Sequence, residues 1–319
     1  MNQNTNLPKI SNKEFWQRIK KRKYEDVAAI RFVESYFQKT RGHVVAMPKP
    51  GKKVILLTSG GLDSTIVWYL LMKQFRLVVY PLFVGNNSFH PQRRALRYFS
   101  RLFQKKCPNQ YRPPFIVSQH LVAKEINALR QAKSIHPEVL VDVHTSKHPT
   151  WGLPHIAGLN ALTPVSALLY SKYLLITQNL SVRTIVCAIA AGDGTVVKSQ
   201  TFSFLRTTMF FLSQFFQDRE LQFFSLLLDK NLGYFIEKAR LISIGTQLGL
   251  PIHKTYSCYT GNIFHCGWCL ACQARKYEFR KASVTDRTIY SDYFVQKIQL
   301  MKNKATSLVK RIALPGWRR

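Results

Sequence analysis

The residues most suited to chemistry form one short string, Ser59-Gly60-Gly61-Leu62-Asp63-Ser64, which follows an apolar run from Lys53 to Thr58 and leads into a stretch of helix-forming composition, Ser64 to Lys73. At such a strand-to-helix junction the backbone N–H groups of the turn and of the helix N-terminus converge on one point, where an anion is stabilised. The glycine pair lets the backbone approach a phosphate closely. Ser59 and Ser64 offer hydroxyl donors, and Asp63 is suited to hold a magnesium ion or to orient a nucleophile. A bare Gly-Gly reads more simply as a turn before a capped helix, but the full string after an apolar strand favours a phosphate loop. It is not a Walker loop, because the G-K-S/T ending is absent.

A second constellation lies near the other end of the chain. Cys258, Cys266, Cys269 and Cys272 follow the order C-x7-C-x2-C-x2-C. Two tight C-x2-C steps bring thiolates close enough to share one tetrahedral ion. Zinc is expected. Four thiolates also suit an iron–sulfur cluster, and disulfides are disfavoured where nothing indicates an oxidising compartment. With all four ligands supplied by the chain, the metal braces a loop and leaves no position for an activated water. Cys107 and Cys187 are solitary and are expected as small buried apolar residues.

The elements that must position these groups alternate. Apolar runs at Lys53 to Thr58, Leu77 to Val84, Pro114 to Val117 and Thr184 to Ile189 read as strands. Between them Ser64 to Lys73, Arg93 to Gln104, Val122 to Lys133 and Leu159 to Thr177 read as helices, and a further helix is expected around Phe235 to Leu248. This alternation predicts an α/β fold with a parallel sheet covered on both faces. Residues 1–50, with an apolar stripe between Asn12 and Lys39, read as a basic helical extension. Residues 51–250 read as the nucleotide-binding domain, with a Phe-rich helical insertion at about 199–232. Residues 251–319 read as the metal-binding segment with a basic tail.

The string SGGLDS resembles the SGG-x-DS signature of the PP-loop ATP pyrophosphatases. That resemblance implies a Rossmann-like sheet of the adenine nucleotide alpha hydrolase type and cleavage of ATP between its α and β phosphates to adenylate a substrate oxygen. It implies a nucleotide held along Leu57, Thr58, Ser59, Gly60, Gly61, Leu62, Asp63 and Ser64, with the adenine near Leu57 and the Pro81 to Gly85 stretch. The segment Ser257-Cys258-Tyr259-Thr260-Gly261, followed by Cys266-Gly267-Trp268-Cys269-Leu270-Ala271-Cys272 and Arg275, resembles the SCY-x-G...CG-x-C-x-x-C-x-x-R segment of 7-cyano-7-deazaguanine synthases. Lys238, Ile244-Gly245 and Leu248-Gly249-Leu250-Pro251 look like the approach to that segment, with the family's glutamate unmatched. The resemblance implies conversion of 7-carboxy-7-deazaguanine to the nitrile with ATP and ammonia. It sets Gly158-Leu159-Asn160 in the place of an R-N step near the substrate and Ala191-Gly192-Asp193 in the place of an E-D pair, and it makes Lys238 a partner for phosphate. After the second strand the family's Y-G-Q-R-H type segment is replaced by a more basic stretch, Val84 to Arg94. Divergent relatives occur in bacterial antiphage systems, some thought to act on a protein or a nucleic acid.

Composition bounds the rest. Lys plus Arg number 47 and Asp plus Glu 16, a formal charge of +31, so anionic partners are expected: ATP, and an acidic protein or nucleic acid. With 46% hydrophobic residues in 319, the chain can bury a full core. Met1 to Pro50 has no apolar signal region and no stretch reads as a membrane span, so the cytoplasm is the expected compartment, and a homo-oligomer or a subunit of a complex the expected assembly. Three functions remain in view: a deazaguanine carboxylate synthase, a divergent enzyme that transfers a deazaguanine to a protein or nucleic acid, and a non-catalytic nucleotide- or RNA-binding module.

Overall fold

The computed structural model describes residues 7–85, 90–118, 159–195, 197–259 and 263–292. Two helices open the chain, α1 (Asn12–Lys20) and α2 (Val27–Arg41). The main body follows as β1 (Lys53–Leu57), α3 (Leu62–Lys73), β2 (Val78–Gly85), α4 (His90–Lys106), β3 (Phe115–Ser118), α5 (Leu159–Gln178), β4 (Thr184–Cys187), α6 (Phe202–Phe215) and β5 (Gln222–Ser225). Then come β6 (Leu228–Asp229), β7 (Tyr234–Phe235), α7 (Lys238–Gln247) and α8 (Leu270–Lys281).

The sheet order is β3-β2-β1-β4-β5-β6-β7, parallel from β3 to β5 and antiparallel for the last two strands. Val54, Ile55 and Leu56 of β1 and Ile185 and Val186 of β4 are fully buried, as a parallel sheet covered on both faces requires. Helix α3 packs with α4 and α7, and α6 packs with α5 and α2, which gives the two covering layers. The order of winding reverses between β1 and β4: the chain steps from β1 to β2 and β3 on one side and then crosses back to β4 on the other. In open α/β sheets the crevice outside the carboxyl ends of the strands at this reversal is where ligands bind. No helix among the described residues is long and apolar enough to cross a membrane.

Two expectations about organisation change. The stretch Asn12 to Lys39 is two helices rather than one, because Asp26 caps a new start by accepting from the Ala29 N–H at 2.9 Å. Both helices belong to the core: Phe15, Ile19, Ile30, Val33 and Phe37 are buried in the same cluster as the sheet. The Phe-rich stretch 199–232 is likewise no separate helical insertion. It supplies the crossover α6 and then β5, which pairs in parallel with β4. The expected helix Val122 to Lys133 and the basic tail Val309 to Arg319 lie outside the described residues.

Charge locks this half of the molecule. Arg206, in the middle of α6 and fully buried, donates to Glu34 of α2 at 3.1 Å, to Asp229 of β6 at 2.8 Å and to Asn231 at 3.0 Å, with its guanidinium over the Phe202 ring. Lys230 completes the pairing of Glu34 at 2.5 Å. Glu25, in the α1–α2 connection, accepts from the Phe202 and Ser203 N–H groups at 2.9 and 2.8 Å and so neutralises the amino end of α6.

Replacing Arg206 with methionine leaves Glu34 and Asp229 short of a partner inside the protein and is expected to lower stability by about 3–5 kcal/mol, read by urea unfolding. On the other layer, a Cβ at Gly245 of α7 would lie 2.7 Å from Ile66 Cδ1 of α3. Gly245→Val is expected to cost about 1–3 kcal/mol by overpacking against Ile66, read by urea unfolding.

Candidate functional site

The loop Ser59–Gly61 sits where β1 ends and α3 begins, at the reversal between β1 and β4. Gly60 has φ +71°, in the left-handed region, and a Cβ there would stand 2.4 Å from the Gln92 carbonyl oxygen at the start of α4. Only glycine fits. Gly61 is the N-cap of α3 and brings no capping side chain, so the helix start is open to an external anion. The serines shape the loop: Ser59 N–H donates to Ser64 Oγ at 3.2 Å, Gly61 N–H donates to Ser59 Oγ at 3.2 Å, and the two serine oxygens lie 3.3 Å apart. Thr58 extends the β1–β2 pairing by donating its N–H to the Leu82 carbonyl at 2.9 Å, and its hydroxyl reaches Ser64 Oγ at 3.4 Å. Leu57 pairs in register with Leu82, within the Pro81–Gly85 stretch.

Three charged residues from three elements meet beside this loop. Asp63 lies in the first turn of α3, Asp193 follows β4, and Lys238 opens α7. Lys238 Nζ stands 3.2 Å from Asp63 Oδ2 and 3.0 Å from Asp193 Oδ1. Asp193 Oδ2 is held by the Ala190 N–H at 3.0 Å. Burial pushes the Asp63 carboxyl up to about 6, opposed by Lys238 and assisted by Asp193. The two carboxylates outweigh the burial penalty on Lys238, whose pKa is raised, so it stays cationic. Asp63 Oδ1 is buried and has no hydrogen-bond partner. An orphaned carboxylate oxygen beside an anion site fits an oxygen-seeking cation such as magnesium. Asn160 lies in the first turn of α5.

The four cysteines form a compact, buried knot. Their Sγ atoms all lie within 4.8 Å of one another, with Cys258 to Cys269 at 3.8 Å and Cys266 to Cys272 at 3.9 Å. A tetrahedron with metal–sulfur bonds of about 2.3 Å has edges of about 3.8 Å, so the donors fit one metal ion. Backbone N–H groups of Cys266 and Cys269 point at the Cys258 and Cys266 sulfurs at 3.3 and 3.2 Å, as suits thiolates. Gly267, at φ +86°, leaves room for Asp292, which would overlap any Cβ.

The knot touches the phosphate loop. Tyr256 N–H donates to the Gly60 carbonyl at 2.9 Å, two residues before the first cysteine. Arg275 of α8 is buried and ties this strap down, donating to the Ile252 carbonyl at 2.9 Å, to Thr255 Oγ1 at 3.0 Å and to Thr288 Oγ1 at 3.0 Å. Burial pushes the Tyr259 hydroxyl up to about 12, opposed by the charge of Lys238. Sequence reasoning singled out the cysteines and Arg275 but not the Tyr256 backbone contact, whose sole trace is its place just ahead of the SCY string.

Comparison with known proteins supports the same segment. The family described as queuosine biosynthesis protein QueC matches residues 225–283. The 7-cyano-7-deazaguanine synthase of Rhizobium etli is 42% identical over 57 residues, 18% of this chain and 24% of that protein. The 7-cyano-7-deazaguanine synthase 2 of Sulfurisphaera tokodaii is 24% identical over 247 residues, 77% of this chain and 49% of that protein. The matched part thus spans about a quarter of the first relative and about half of the second. Among solved structures, the U34-tRNA thiolase NcsA of Methanococcus maripaludis is 13% identical, with 88% of this chain and 82% of that one covered and a TM-score of 0.35. From the end of β5 to just past α8, the stretch that carries Lys238 and the four cysteines, this chain is similar to the QueC family and to 7-cyano-7-deazaguanine synthases.

Proposed function

We propose that this protein is an ATP-dependent enzyme of 7-deazaguanine metabolism that adenylates the carboxylate of a 7-carboxy-7-deazaguanine-type acid, for conversion to the amide or nitrile with ammonia. The observation that carries the proposal is the meeting of Asp63, Asp193 and Lys238 beside an open helix N-terminus, at the reversal point of the sheet, under a strap from the QueC-like segment.

A carboxylate oxygen is a poor leaving group. When it attacks the α-phosphorus of ATP, pyrophosphate departs and the acid becomes an acyl adenylate; ammonia then displaces AMP to give the amide. Activation of the amide oxygen by a second ATP in the same way, followed by departure of AMP and loss of both amide protons, gives the nitrile. The chain's part is to hold and polarise the phosphates. The N–H groups at the start of α3 and the hydroxyls of Ser59 and Ser64 receive phosphate oxygens. Lys238, kept cationic by its two carboxylates, offsets the negative charge that builds up on the departing pyrophosphate. Asp63 Oδ1 is suited to hold magnesium, which when bound neutralises further phosphate charge. The four cysteines take zinc, which holds the Tyr256 strap against Gly60 and does no chemistry on substrate.

Incubation with ATP, magnesium, ammonium and 7-carboxy-7-deazaguanine is expected to release AMP and pyrophosphate only when the acid is present; no turnover with any acid would reduce the protein to a binding module. Asp63→Asn and Lys238→Met are each expected to lower that release by about a hundredfold or more while circular dichroism stays native. Elemental analysis should find zinc at one ion per four-cysteine knot, lost together with solubility in Cys269→Ser; iron in its place would overturn the zinc assignment.

A further inference from the structure

Helix α4 carries six cations, Arg93, Arg94, Arg97, Arg101, Lys105 and Lys106, and no acid in its seventeen residues. One face is apolar: Ala95 packs with the cysteine knot, while Leu96, Phe99 and Phe103 enter the main core. Arg94, Arg97, Tyr98, Arg101 and Lys105 are exposed. At 100° per residue they fall within about 100° of arc, so they line one stripe. Along the axis the four cations follow one another at about 4.5 to 6 Å and span about 16 Å. Among the described residues no carboxylate pairs with any of the four. Unpaired cations in a row stay close together against mutual repulsion, and a chain of anions relieves it.

We propose that this stripe is a docking surface for single-stranded nucleic acid. Three of the four cations are arginines, whose planar forks bind phosphate oxygens bidentately, and Tyr98, exposed on the same stripe, is the feature that favours a nucleic acid over an acidic peptide, since a base can stack on its ring. The stripe also has a direction. The amino end of α4 abuts the phosphate loop, with the Gln92 carbonyl 2.4 Å from where a Gly60 Cβ would stand, so a strand laid along α4 reaches the nucleotide site at one end. The surface goes beyond the adenylation proposal and does not depend on it, since binding is measured without ATP.

The test is fluorescence anisotropy with a labelled single strand of about 20 nucleotides, long enough to cover the stripe. The variant R94Q/R97Q/R101Q keeps good helix formers at exposed positions, so its thermal melt by circular dichroism should match the wild type. It is expected to weaken binding by about tenfold or more and to cut the slope of log affinity against log salt by about 2, three contacts at about 0.7 each. The variant K20Q/K21Q/K39Q removes the same charge from exposed positions on α1, its cap and α2, and is expected to bind within about twofold of the wild type. Equal losses in both variants would mean diffuse charge and would overturn the proposal, as would wild-type binding by the α4 variant. Displacement of the strand by polyglutamate at equal charge would overturn it in favour of an acidic protein partner.

Discussion

The ammonium of Lys238 holds together two carboxylates that would otherwise repel each other, and the geometry of the site rests on that ion. Asp63, Asp193 and Lys238 come from α3, from the loop after β4 and from α7, so the cluster exists only when the sheet order has set β1 beside β4 and α7 has closed onto α3. Gly245 permits that last approach by leaving room for Ile66. The arrangement explains why the charged forms differ in cost. Lys238 gains from two negative neighbours, whereas Asp63, largely desolvated and close to a second carboxylate, holds its proton more tightly than an exposed aspartate would.

The cysteine knot serves this cluster at one remove. Its strap meets the phosphate loop through a single backbone bond, Tyr256 to Gly60, and Arg275 fixes the strap from below with three more donors. A metal held by the four sulfurs would therefore brace the strap that meets the Ser59–Gly61 loop. Ala95 of α4 also packs into the knot, so the metal-braced segment, the phosphate loop and the basic helix form one continuous assembly.

What the sequence disclosed and what it hid divide along the range of the interactions. The strands at Lys53–Leu57, Val78–Gly85, Phe115–Ser118 and Thr184–Cys187 are short apolar runs next to turn signals, and the strand-to-helix turn at Ser59–Gly61 and the cysteine spacing are local patterns; all are legible in the sequence. Asp193 and Lys238 were singled out by resemblance alone, because nothing in the chain announces that residues 45 apart will share an ion pair. Arg206 reaches Glu34 across 172 positions, and inside a Phe-rich stretch it looked like an interruption rather than a keystone. Gln222-Phe-Phe-Ser was taken as part of a helical insertion for a simple reason: a four-residue run buried on both faces has no alternation to distinguish a strand from a buried helix.

Residues 7–41 settle against a part of the chain made much later. Ile10 bonds to Gly233, Glu25 to Phe202 and Ser203, Glu34 to Arg206 and Lys230, and Arg41 to the carbonyls of Arg219 and Leu221. Translation at about 5–20 residues per second leaves α1 and α2 waiting for roughly 10–40 seconds before their partners emerge from the ribosome. Through that interval two amphipathic, strongly basic helices stand apart from any core beside polyanionic ribosomal RNA, and their aromatic faces need shelter until β7 has been synthesised. Until α6 and β7 have been made, α1 and α2 lack these native neighbours.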